Sequence, residues 1–381
     1  MRGRWLSDWK PMLGVLGVGL AAVGLLTGAA PVGKGVRQGL EVCGNVLIPS
    51  LFPFLALSLF VSTTKVGWML SRPAGWLVRR VYHAPQELGP ALLMSMIGGY
   101  PAGARALSAL SEEGTISGDT AAGALCFCVN SGPAFLVAVV GQGIFGSPWA
   151  GVFLFVCQLI AGMLTGWLLL GRNWAEKGGR GRKRNFRPFT LALVESVAGA
   201  GAGMLNICAF VLLCSGFSSL LAARGVTPFL GELVRNFTGG FISQQGGETL
   251  LAGALEICGG CAMAGGLDRR QAALVLPFLL SFGGLSVICQ VSACFSGGLE
   301  NPGLFLRSRL IHGLLTQLLA GPPLYLLART VPAGLILSPT LGGDSRTVPG
   351  TVCLLAMCAI LLLTLESGTG GNQSKRQAGN K

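Results

Sequence analysis

The sequence predicts an all-α polytopic membrane protein, with about eight transmembrane helices and two re-entrant hairpins in two inverted-topology repeats. Three observations carry that prediction. Of 381 residues, 51% are hydrophobic and only 11% are charged, against about 25% charged in an average soluble domain. The charges cluster between long apolar intervals. Finally, apolar intervals in both halves are interrupted by Gly, Pro and polar residues at corresponding places, a pattern that marks binding sites in secondary transporters. The net charge of +13 would suggest nucleic acid in a soluble protein. Here the basic residues lie mostly in short loops and tails, where they set membrane orientation, so nucleic-acid binding is not expected.

In chain order, Arg2, Arg4 and Lys10 precede an uncharged run from Pro11 to Gly33. It is longer than the apolar core of a signal peptide, about 7–15 residues, and reads as a retained first helix (residues 1–38). A second span, Val42–Thr64, is kinked by Pro49 and Pro53. Lys65–Arg80 combines Trp68, Trp76 and four basic residues and suits an interfacial amphipathic helix. Ala91–Ala104 is apolar, short and glycine-broken, so it reads as a re-entrant hairpin before the polar turn at Ser111–Gly114. Thr120–Gly171 contains no Asp, Glu, Lys or Arg and has room for two spans of about 20 residues, turning between Gly141 and Pro148.

Residues 172–189 form a basic linker, with seven Lys and Arg against Glu176 between Arg172 and Arg187. It divides a first repeat (39–171) from a second (190–328). The second repeats the plan: a span at Ser196–Ala223, a short broken segment at Leu250–Gly266, an interrupted span at Gln271–Leu299 and a span at Leu310–Ala328. Thr347–Leu365 reads as a last helix (329–366), before a polar tail (367–381). Placing the N-terminus inside puts the linker and the tail inside too, and the two repeats enter the membrane from opposite sides. Only Arg269 and Arg270 count against this orientation.

The breaks hold the candidate chemistry. Asn130-Ser131-Gly132-Pro133 interrupts a helix because Pro removes a donor and clashes with the preceding turn. The freed N–H groups then favour an anion. Ser281-Phe282-Gly283-Gly284, with Gln290 two turns on, is its counterpart. The tip Gly98-Gly99-Tyr100-Pro101 lets backbone approach a ligand, and Arg105 follows one turn later. An Arg at membrane depth costs about 2.5–3.5 kcal/mol on insertion scales, and its planar guanidinium suits a carboxylate. Glu256 is the most isolated acid in an apolar segment and reads as a coupling or ion-pair residue, with Arg105 one possible partner; Glu195 and Glu248 lie nearer segment ends. Each break also has a plainer reading as a packing kink, and Arg105 as a snorkelling side chain.

The twelve cysteines lie mostly in apolar runs, where free Cys acts as a small hydrophobe. Cys258-Gly259-Gly260-Cys261 has CxxC spacing, but only His83 and His312 occur in the chain, so no metal or redox centre is assigned. With no phosphate-binding loop, hydrolytic triad or zinc motif, neither an enzyme nor a cofactor is expected.

The stretches Gly98–Arg105, Ser111–Ser117, Phe127–Pro133 and Phe282–Val287 resemble the YlbJ-type sporulation integral membrane proteins, which carry a nucleoside-recognition ("Gate") domain. The resemblance covers roughly Gly39 to Ala328. It implies a multi-pass protein of the outer forespore membrane in an endospore-forming bacterium, linked to moving dipicolinate from mother cell to forespore. The family hairpin often reads Ser-Gly-Tyr-Pro with a Lys at the basic position, where this chain has Gly98 and Arg105, so positive charge is kept. The expected partners are a small carboxylate substrate and the lipid bilayer, and a homo-oligomer is compatible with the sequence. Two other functions fit the same features: nucleoside or nucleobase transport, and a non-transporting scaffold of the spore envelope.

Overall fold

The computed structural model describes residues 22–171 and 187–330, with a few positions between 15 and 19. Most of the basic linker, the expected last helix and the polar tail lie outside the described residues. All regular structure among the described residues is helical. Five helical stretches are long and apolar enough to cross a membrane: Ala29–Thr63, Pro148–Leu170, Phe189–Ala223, Arg269–Ser292 and Pro302–Ala328. The chain is thus a multi-pass membrane protein.

Helix α1 (Ala29–Thr63) is continuous through a π-helical stretch at Cys43–Leu47. The boundary expected between a first helix ending near residue 38 and a span starting at Val42 therefore falls inside one helix. The reason lies in the glycines there, which serve close packing rather than a turn. A Cβ on Gly35 would come 2.3 Å from the Ser215 carbonyl oxygen, and one on Gly39 3.1 Å from the Ser215 hydroxyl. Small residues four apart let helix backbones approach closely in lipid, where burial gives no hydrophobic drive between helices.

The partner of α1 in this packing is α9 (Phe189–Ala223), also 35 residues long. Gly35 meets Ser215 and Ser219, whereas Gly199 meets Leu59 and Gly203 meets Leu55. The contacts advance on one helix as they recede on the other, so the pair is antiparallel.

After each long helix the same kinds of element follow. In the first half, α2 (Lys65–Leu70) and α3 (Arg72–Tyr82) precede a hairpin of α4 (Gly89–Gly98) and α5 (Tyr100–Glu112). Gly99, at φ 79° and ψ −163°, breaks the hairpin in a conformation open essentially to glycine alone. Next come α6 (Gly118–Ala124), an irregular stretch over 125–132, a π-helical α7 (Phe135–Ile144), and α8 (Pro148–Leu170).

In the second half, α10 (Val226–Phe237) precedes a hairpin of α11 (Gln244–Leu255) and α12 (Ile257–Ala264), broken at Glu256. Helices α13 (Arg269–Phe282) and α14 (Gly284–Ser292) form a broken span with Gly283 at φ 85° between them, and α15 (Pro302–Thr330) completes the half. Both hairpins and both interrupted spans thus fall where the glycine, proline and polar breaks placed them.

The α1–α9 contact yields a test with an internal control. Gly35→Ala should destabilise the protein by about 1–3 kcal/mol through overpacking. On the same helix, Gly33 has nothing within 4 Å of an added Cβ, so Gly33→Ala should be neutral or slightly stabilising. Thermal midpoints in detergent compare the two; equal shifts would refute the close contact.

Candidate functional site

The two hairpin tips and the two breaks meet between the halves. A cavity of about 50 Å³ is lined by Gly98, Gly99, Tyr100 and Pro101 of the first tip, Ser131 and Gly132 of the first break, Glu256 of the second tip, and Gln290 of α14. Leu51 and Leu55 of α1, Phe135 of α7, Ile207 of α9 and Val287 of α14 complete an otherwise apolar wall. The first tip touches the first break directly, since a Cβ on Gly99 would lie 3.1 Å from the Gly132 nitrogen.

The junction is closed by hydrogen bonds across the halves. The helix ends at Phe282, so the Leu280 carbonyl has no intrahelical donor four residues on. The Ser131 hydroxyl donates to that oxygen at 2.8 Å, and the Tyr100 hydroxyl contacts both the Leu280 carbonyl and Ser131 Oγ. Residues separated by some 150 to 180 positions in sequence therefore satisfy one broken turn.

Glu256 is 3% exposed and is the N-cap of α12. Its Oε1 accepts from the Cys258 N–H at 2.9 Å and its Oε2 from the Gly259 N–H at 2.7 Å. The carboxylate thus spends much of its charge on a helix N-terminus, which carries about half a positive charge. It makes no ion pair with Arg105 or any other cation among the described residues. Beyond the small cavity, Glu256 also borders a cleft of about 860 Å³ lined by Glu41 and Glu248.

Arg105 opens instead on an adjoining cavity of about 50 Å³, which shares Pro101, Ile207 and Gln290 with the central one and adds Asn206. Its Nη1 donates to the Gly199 carbonyl of α9 at 3.2 Å. Four expected site residues lie behind the cavity wall. Asn130 Nδ2 donates to Ser95 Oγ at 3.1 Å and to the Phe127 carbonyl at 2.9 Å. Ser281 Oγ donates to Thr316 of α15 at 2.7 Å. Gly283 and Gly284 shape the second break; a Cβ on Gly284 would strike the Gly253 carbonyl of α11 at 2.6 Å. Glu195 is a half-exposed surface acid 3.6 Å from Arg187.

Sequence reasoning missed the residue that holds the first break together. Arg309 is completely buried on α15 and donates to the carbonyls of Val129 (2.6 Å), Cys126 (2.9 Å) and Leu125 (3.3 Å), with its guanidinium 5.2 Å over the Phe305 ring. These carbonyls belong to the irregular turns after α6, and in lipid no water satisfies them. Gln158 of α8 adds a bond from Nε2 to the Ser131 carbonyl at 3.3 Å, and His312 Nε2 meets the Gln158 carbonyl at 2.9 Å. The available signal was two basic residues, Arg307 and Arg309, inside an apolar run; starting the span at Leu310 set Arg309 aside as a flank.

Comparison with known proteins finds a similarity over most of the chain. The chain is 26% identical over 319 aligned residues to "Sporulation integral membrane protein YlbJ" of Bacillus subtilis (strain 168), covering 76% of this chain and 77% of that protein. The YlbJ-type resemblance is borne out. No protein-family model matches the chain, and no solved structure matches it significantly. The YlbJ-type motifs around Tyr100, Ser131 and Gly283 are the segments that build the junction between the halves.

Loss of the buried clamp should be costly. Arg309→Met, which keeps bulk but strands three carbonyls, should destabilise the fold on the order of 3 kcal/mol, while Tyr100→Phe should cost about 1–2 kcal/mol. Thermal unfolding of the purified variants measures both, and an Arg309→Met protein as stable as the parent would refute the clamp.

Proposed function

We propose that the chain is a secondary transporter of a small anionic metabolite, working by alternating access, with dipicolinate as the leading substrate. The observation that supports this reading is the meeting of both hairpin tips and the first helix break at one cavity between the halves, with α14 supplying Gln290 and the second break tied to the first through the Leu280 carbonyl. In lipid, broken helices persist only where they are buried in protein or line a cavity. Their recurrence in two halves led by antiparallel 35-residue helices fits inverted repeats related by an axis in the membrane plane.

An anion entering the junction would find backbone N–H groups at the start of α5 and in the first break, with Arg105 and Asn206 in the adjoining space. A cavity of about 50 Å³ is far below the ~300 Å³ or more of ordinary ligand pockets. Loading therefore requires the halves to move apart, as alternating access demands. The assignment to dipicolinate and to the outer forespore membrane rests on the YlbJ-type resemblance, and the YlbJ similarity itself speaks only of sporulation and the membrane.

One observation favours a second reading. Glu256 is the single charged residue lining the central cavity, and a carboxylate there suits the hydroxyl and amine donors of a nucleoside or nucleobase.

Uptake of labelled dipicolinate into proteoliposomes separates these readings. Saturable flux is expected, competed by other dicarboxylates and reduced roughly tenfold or more in Arg105→Ala, the worth of a lost charged hydrogen bond at about 1.5–3 kcal/mol. Glu256→Gln keeps a capping oxygen and should fold, which isolates the effect of its charge. Nucleoside competition with an indifferent Arg105 would move the assignment to the second reading. Absence of any flux from folded protein would leave a scaffold role.

A further inference from the structure

We propose that the α2–α3 arm is a binding site for the headgroup of an anionic phospholipid, a role independent of transport. Trp68, Arg72, Trp76 and Arg80 recur at intervals of four, with Arg79 beside them and His83 just beyond, and all six are exposed. On α3 residues four apart share a helix face, and across the break at Ser71 the Arg72 guanidinium stacks over the Trp68 ring at 5.6 Å, so the stripe is both basic and aromatic. The opposite face is fixed to the body of the protein. A Cβ on Gly67 would strike the Val61 carbonyl and one on Gly75 the Gln86 carbonyl at 2.7 Å, while the Tyr82 hydroxyl donates to the Met163 carbonyl of α8 at 2.6 Å. The stripe therefore points away from the protein and is rigidly held.

Arg79, Arg80 and His83 line one open cleft with Trp76 and Pro85, and Glu87 is its single acid. Neither arginine makes an ion pair among the described residues. His83 has φ 59° and is the one non-glycine residue with positive φ among those described. Glycine takes that turn without strain, and strained backbone persists where the surroundings over-determine it. Here the turn sets the imidazole beside the two guanidinium groups.

The arm also lies on the basic side of the membrane. The Arg187 N–H donates to the Thr63 carbonyl at 3.3 Å, where α1 ends and α2 departs, so the downstream end of the basic linker reaches the same face. Positive charge gathers on the cytoplasmic side, where anionic lipids give the leaflet a negative potential. Exposed Met69 and Leu77, with the two tryptophans, supply an apolar surface beside the cationic cleft. That combination fits an amphiphile, with its phosphate at Arg79 and Arg80 and its acyl chains along the tryptophans, better than a free anion.

The test uses full-length protein in nanodiscs of phosphatidylcholine with or without phosphatidylglycerol, reading retained lipid by native mass spectrometry and the thermal midpoint. Phosphatidylglycerol should be retained preferentially and raise the midpoint. The Arg79→Gln/Arg80→Gln double variant should weaken that retention roughly 30-fold, from about 1 kcal/mol per basic residue near a membrane. An Arg235→Gln control, on α10, should not. If the double variant fails to fold, His83→Gly carries the test, because it relieves the backbone while removing a cleft group. Equal retention of both lipids, undiminished retention in the variants, or the same stabilisation by inorganic phosphate without lipid preference would overturn the proposal.

Discussion

Every break in a membrane-embedded helix releases N–H and C=O groups that lipid cannot satisfy, and the structure depends on how those groups are met. The first break is gripped from α15 by Arg309, which takes three carbonyls, and from α8 by Gln158. The second break gives its Leu280 carbonyl to Ser131 and Tyr100 of the other half. The second hairpin tip is met by its own side chain, Glu256, bonded to two N–H groups of α12. The two break solutions tie a locally unstable element to a distant one, so the breaks hold the two halves together, whereas the second tip is satisfied locally.

The halves solve the same problem unequally. At the first tip a glycine leaves backbone next to the cavity, whereas at the second tip a carboxylate has already taken the N-terminal donors. That asymmetry puts donors on one wall and an acceptor on the other. A ligand carrying both a carboxylate and hydrogen-bond donors would meet complementary surfaces, and the two competing transport readings differ in which wall dominates. The proposed anion reading leans on Arg105, one turn from the tip, whose cavity shares Pro101 and Gln290 with the central one.

The long antiparallel pair, α1 and α9, frames this centre. Its contact relies on small residues, Gly35, Gly39, Ser215 and Ser219, rather than on bulky interdigitation. Close backbone packing of that kind favours sliding or rocking of rigid helices over side-chain rearrangement, which is what the proposed alternating access would require. At one end of α1 the α2–α3 arm is pinned by Tyr82 to α8, so the membrane surface and the central junction share one mechanical frame.

The sequence by itself determined where the helices break. Glycine at positive φ, proline without a donor and low charge act locally, so the breaks at Gly99 and Gly283 and the amphipathic Lys65–Arg80 stretch were legible without a partner in view, whereas Glu256 was legible as a buried acid but not as the cap of a break. What only the tertiary structure decided was which groups face each other across the chain. Lys34, Arg37 and Glu41 read as a boundary between two spans, and nothing local shows that Gly35 and Gly39 beside them are packing positions; α9 makes the difference. Asn130 and Ser281 look like ligand groups in sequence, yet their hydrogen bonds go to Ser95 and Thr316 behind the cavity wall. Arg309 looks like a flanking charge, and only folding brings the stranded carbonyls of residues 125–129 within its reach. A break is a property of a few adjacent residues, but the satisfaction of its freed polar groups is a property of the whole fold.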